Sequence, residues 1–195
     1  MKKLLSDRNL FNPISLLILM SIAMPIAFNA WSAMLNNFVV EKAAFTGVEI
    51  GILQSLREVP GFLSFTLIFV LLVIKEQTFA VFSLALLGLG VCLTGFFPTV
   101  YGLYFTTVLM SIGFHYFEAV KQSLSLQWLS KEEAPIILGK LLAVGSLTSL
   151  IVYGCLWTLL EFFQLPYWIN FALAGGICIF LALVCSSSIQ LFLQK

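Results

Sequence analysis

The sequence predicts an all-α polytopic membrane protein of six transmembrane helices. Three observations predict it. The 195-residue chain is 61% hydrophobic and 10% charged, where a soluble domain averages about 45–50% and about 25%. Charges, prolines and glycines cut it into six apolar segments, each near the roughly 20 residues that cross a bilayer. Lysine and arginine gather in alternate connections, as the positive-inside bias requires.

The first helix is expected over about residues 13–39. "MKKLL" resembles the start of a signal peptide, but the chain is uncharged from Asn9 to Val40. That is longer than a secretory apolar core, and no A-x-A site closes it, so a retained helix is expected. After "VEKAAFTGVE", the second helix covers about 47–74 and "KEQ" ends it. The uncharged run from Gln77 to Phe117 holds two helices, about 78–97 and 100–126, divided by "TGFFPTVYG". "SKEEAP" leads to the fifth helix, about 135–160, with Pro135 in its first turn. "EFFQLP" leads to the sixth, about 167–188. The whole chain, 1–195, reads as one bundle.

With the N-terminus inside, the cytoplasmic segments carry Lys2, Lys3, Arg8, Lys75, Lys131, Lys140 and Lys195, and the outer loops carry Lys42. Trp157, Tyr167 and Trp168 mark the outer interface and Trp128 the inner one. Both termini are expected in the cytoplasm, with the lipid bilayer of the plasma (inner) membrane as the chain's surroundings.

The balance of charge is +1, so no basic surface points to nucleic acid. Cys92, Cys155, Cys178 and Cys185 lie in apolar runs without a C-x-x-C pair, and His115 is the one histidine. They read as small buried hydrophobes, not as a metal set or a disulfide framework. H-E-x-x-H, G-x-S-x-G and paired intramembrane aspartates are absent, so neither an enzyme nor a cofactor is expected.

Polar residues inside the apolar segments carry the functional reading. Arg57 lies about 15 Å into the second helix, and a central charge costs about 2.5–3.5 kcal/mol. Arg57 and Glu58 should therefore face protein or a water-filled cavity. Sequence neighbours point about 100° apart, so their partners are expected on another helix. The fourth helix offers Ser111, His115, Glu118, Gln122 and Ser125, spaced by three and four residues on one stripe. Lys121 flanks it, within reach of Glu118, and is expected to snorkel to the cytoplasmic interface. Asn29, Ser32 and Asn36 make a weaker stripe on the first helix; Ser146, Ser149 and Tyr153 do so on the fifth. The third and sixth helices carry no charge in their spans, so they are expected at the periphery. Pro25, Pro60 and Gly61 sit mid-helix, where a bend or freed backbone groups are expected.

"FTGVEIGILQSL" (Phe45 to Leu56) and "LMSIGFHYFEAVKQSLSLQWLSKEEAPIILGKLLAVGSL" (Leu109 to Leu147) resemble the N-terminal six-helix half of a major facilitator superfamily transporter. Gly113 resembles the superfamily's fourth-helix glycine and Gly139 the one opening its fifth. The loop between helices two and three reads "FVLLVIKEQTF" in place of G-x-x-x-D-x-x-G-R-K, and Thr106 and Thr107 stand near the place of a fourth-helix arginine. Only the two glycines carry over, as packing positions. The resemblance implies two inverted three-helix repeats; "EKAAFTGVEIG" and "KEEAPIILGK" echo one another, with Gly51 and Gly139 in similar places. It also implies a second six-helix half or a homodimer partner. A truncated product, half of a split gene and a half-size chain that dimerises all fit.

The function expected is secondary, alternating-access transport of a small-molecule substrate. The substrate or proton path would be lined by Arg57, Glu58, His115, Glu118, Gln122, Asn29 and Asn36. Glu118 would be the protonatable group, with Arg57 as its partner. The alternative is a non-transporting assembly or regulatory subunit that docks through this polar face, its charges forming a structural network.

Overall fold

The computed structural model describes residues 12–193. Lys2, Lys3, Arg8 and Lys195, used above for orientation, lie outside the described residues. The elements are α1 (Pro13–Ala43), α2 (Gly47–Phe62), a 3₁₀ turn (Leu63–Thr66), α3 (Leu67–Leu71), α4 (Glu76–Thr94), α5 (Val100–Trp128), α6 (Ala134–Glu161) and α7 (Tyr167–Leu193). The described chain is all-helical. Pro13–Ala43, Glu76–Thr94, Ala134–Glu161 and Tyr167–Gln190 are long and apolar enough to cross a membrane.

Local chemistry sets the boundaries. The Asn12 side chain accepts from the Ser15 N–H at 2.7 Å, one residue before Pro13 at the first helical position. Thr46 and Glu49 form a capping box that opens α2, and Thr99 caps α5. Ala44 takes a left-handed φ of 52° where α1 stops.

The expected single second helix, 47–74, is broken. Pro60 has no N–H to donate, and α2 ends two residues later at Phe62. The backbone tightens into the 3₁₀ turn, where the Thr66 hydroxyl donates to the Leu63 carbonyl at 2.8 Å. The Tyr116 hydroxyl on α5 donates to the same carbonyl at 3.3 Å and also meets the Thr66 hydroxyl. The bend foreseen at Pro60 and Gly61 is therefore delayed by a few residues and clasped by a tyrosine.

Contacts between connections sort them to two ends of the bundle. At one end, Tyr167 donates to Glu41 at 3.1 Å and the Phe96 ring lies 5.7 Å from Trp168. At the other, Glu76 at the start of α4 accepts from Gln127 at 2.6 Å and from Ser123 at 3.3 Å near the end of α5. Lys75 and Lys131 lie in the connections at this second end, and Lys140 in the second turn of α6; Lys42 lies at the first.

Packing runs α2–α5–α4–α7–α1–α6, each against the next. Two expectations change here. The third and sixth predicted helices, α4 and α7, are central, not peripheral. Glycine explains it. A methyl added at Gly88 would lie 2.7 Å from the Gly175 carbonyl, and one at Gly113 only 2.2 Å from the Leu87 nitrogen. Membrane helices associate by such close backbone approach, so a lack of charge says nothing about position. Conversely α6, with its polar stripe, has only 11% of its most apolar stretch buried, against 50% for α1 and α4. Gly139, matched above to a packing glycine, meets nothing within 4 Å among the described residues.

Candidate functional site

The cleft lies between α1, α5 and α6 and encloses about 500 Å³. Three elements bring polar groups into it: Ser21 and Asn29 from α1, Glu118, Lys121, Gln122 and Ser125 from α5, and Ser146 and Ser149 from α6. Their three-to-four-residue spacing puts each set on one helix face. Asn29 donates to Ser149 at 2.6 Å, and Ser149 donates to the Gly145 carbonyl at 2.8 Å. Phe28 and Phe114, stacked at 4.1 Å, make an aromatic wall.

Among the described residues, the cleft holds one anion and one cation. Lys121 Nζ is 3.4 Å from Glu118 Oε1, with the lysine side chain 19% exposed and the glutamate 44%. Lys121 therefore turns into the cleft; its Nζ also lies 5.9 Å from the Phe117 ring centre. Glu118 meets Lys121 in the cleft and Arg57 meets Glu58 outside it, so the expected Glu118–Arg57 pair does not form.

Arg57, Glu58 and His115 form a second cluster between α2 and α5. Arg57 donates through Nη2 at 2.6 Å and Nε at 2.8 Å to one oxygen of Glu58. This corrects the expectation that sequence neighbours pair poorly: both side chains are long enough to bridge the angular offset. His115 Nε2 lies 3.9 Å from the other oxygen. Ser111 donates to the Arg57 carbonyl, anchoring α2 on α5. A methyl at Gly61 would lie 2.7 Å from the His115 ring, so glycine here lets the imidazole sit against α2 without shifting.

Phe114 and His115 divide the two regions, one facing the cleft and the next facing α2, with ring centres 5.0 Å apart. Of the predicted path residues, Asn29, Glu118 and Gln122 line the cleft, whereas Arg57, Glu58 and His115 stand in the second cluster. Asn36 is exposed and outside both, like Ser32 and Tyr153. Sequence reasoning missed Ser21, which is 2% exposed with its hydroxyl unpartnered. The available signal was Pro25: a proline deprives the carbonyl four residues earlier of its helical donor.

The Arg57–Glu58 pair leads to a double-mutant prediction. Glu58→Ala leaves Arg57 without an anion and should lower stability by about 1–2 kcal/mol, a figure reduced for the pair's partial exposure. Arg57→Ala with Glu58→Ala should recover most of it in a thermal-unfolding comparison in detergent. Strictly additive losses would show that the pair is not coupled.

No protein-family model, curated protein or solved structure matches the chain.

Proposed function

We propose that the chain is the N-terminal six-helix half of a secondary transporter of the major facilitator type, working by alternating access on a small solute. The observation that carries this reading is the cleft of α1, α5 and α6, which sets Glu118, Lys121 and Asn29 between long apolar helices. Intramembrane ionisable groups mark solute or proton pathways by default.

The order of packing supports the two inverted repeats. Take α1, the broken helix of α2 and α3, and α4 as one unit, and α5, α6 and α7 as the other. Exchanging the units member for member turns α1 on α6 into α5 on α2, turns α4 on α5 into α7 on α1, and returns α4 on α7 to itself. In this reading the broken helix and α5 complete six spans. α5 has 29 residues, about 43 Å, long enough to span, and carries the polar stripe along one face. The end bearing Lys75 and Lys131 faces the cytoplasm. The broken helix and α6 each pack along one side only, and their free faces would meet a second half or a second copy. Those same free faces favour the rival reading, a docking subunit that moves no solute.

Cysteine accessibility separates the two. In a Cys155→Ser background, Ser146→Cys in the cleft should react with a water-soluble, membrane-impermeant maleimide. Ile151→Cys, about 140° round the same helix on its apolar side, should react only with a lipid-soluble reagent. An inert Ser146→Cys would mean that no aqueous path reaches the cleft, and the docking reading would gain.

A further inference from the structure

From the same cleft, and resting on the transporter reading, we infer that the solute is a small zwitterion with a primary ammonium, of the α-amino acid type, and an apolar side chain. Three observations converge.

The first is charge balance. Glu118 and Lys121 neutralise one another at 3.4 Å. A solute of one charge that engages either group leaves the other without its counter-ion inside the cleft, which is unfavourable. A zwitterion exchanges one ion pair for two, its ammonium on Glu118 and its carboxylate on Lys121, each a charge-assisted hydrogen bond.

The second is a set of acceptors with no donor. The Ser21 hydroxyl is buried in the cleft wall without a partner. Pro25, four residues on, has no N–H for the Ser21 carbonyl. That carbonyl lies 3.6 Å from where a methyl on Gly145 would stand, and Gly145 itself lines the cleft. The Ser21 hydroxyl thus lacks a partner and its carbonyl lacks the usual helical donor, and an N–H-bearing ammonium would supply both.

The third is the rest of the lining. Met24, Phe28, Phe114, Leu138, Leu141 and Leu142 leave most of the cleft apolar, which suits a hydrocarbon side chain and not a polyol.

The test is equilibrium binding to the purified full chain in lipid nanodiscs. The probes are L-phenylalanine, L-leucine, glycine betaine, choline, acetate and glucose. The expected result is saturable binding of the two amino acids, and at least about tenfold weaker binding of glycine betaine, whose trimethylated nitrogen has no hydrogen to give the Ser21 oxygens. Glu118→Gln and Lys121→Met should each weaken amino-acid binding about tenfold or more. Gly145→Leu should abolish it by filling the cleft while both charges remain, which covers the case of a charge variant that fails to fold. Absence of amino-acid binding overturns the inference, and so does betaine binding as tightly as leucine. Binding of choline, acetate or glucose in their place, weakened by Gly145→Leu, overturns the solute class but leaves the transporter reading standing.

Discussion

Gly113→Leu should leave little or no folded protein in the membrane. A side chain there points into the backbone of α4, with the Leu87 nitrogen at 2.2 Å and the Ser83 carbonyl at 2.7 Å from the first added carbon. No rotamer of a neighbour can relieve a clash with backbone, so α4 and α5 must separate. Overpacking costs about 1–3 kcal/mol where side chains can shift, and here the loss should exceed about 3 kcal/mol. The interface is a large one, since α5 on one side and α7 on the other hold α4 at the centre of the packing order. Gly139→Ala serves as the control: nothing lies within 4 Å of its added methyl, and the exchange should gain up to about 1 kcal/mol in helix propensity. Monodispersity and melting temperature in detergent read both. A folded, monodisperse Gly113→Leu protein would mean that α4 and α5 do not approach this closely.

Much of the layout is readable from residue type alone. Asn12 with Pro13, Thr46 with Glu49, and Thr99 are local capping signals, and the helices they open begin where those signals stand. The stripe from Ser111 to Ser125 is likewise a property of one helix, and its members Glu118, Gln122 and Ser125 share a wall of the cleft. What was not legible depends on which helix faces which. Gly88, Gly113 and Gly175 make α4 central only because they meet other backbones, and no helix records its neighbour's position. The same gap misplaced Arg57: it stands between α2 and α5 with Glu58, away from the cleft where Glu118 meets Lys121. The break at Leu63–Thr66 is held by Tyr116, fifty residues further along, which bonds the Leu63 carbonyl and meets the Thr66 hydroxyl.

Glu118 is where the account is most exposed to test. Its carboxylate is the one acidic group among the described residues that line the cleft, and its partner Lys121 sits one helical turn away. A proton on Glu118 removes its charge and releases Lys121, which changes what the cleft can hold. Glutamine keeps the shape and the hydrogen bonds of a protonated glutamate but can neither release nor accept the proton. Glu118→Gln should therefore fold as the parent does while losing the link between solute and proton movement.

The decisive measurement is the decay of an imposed pH gradient in membrane vesicles containing the protein. Neutral amino acids, sugars, organic cations and organic acids are added one at a time. The account predicts that a solute speeds the decay with the parent protein and leaves it at the background rate with Glu118→Gln, at equal amounts of folded protein. Solute-driven decay undiminished in Glu118→Gln, or none with the parent for any of these solutes, would contradict it.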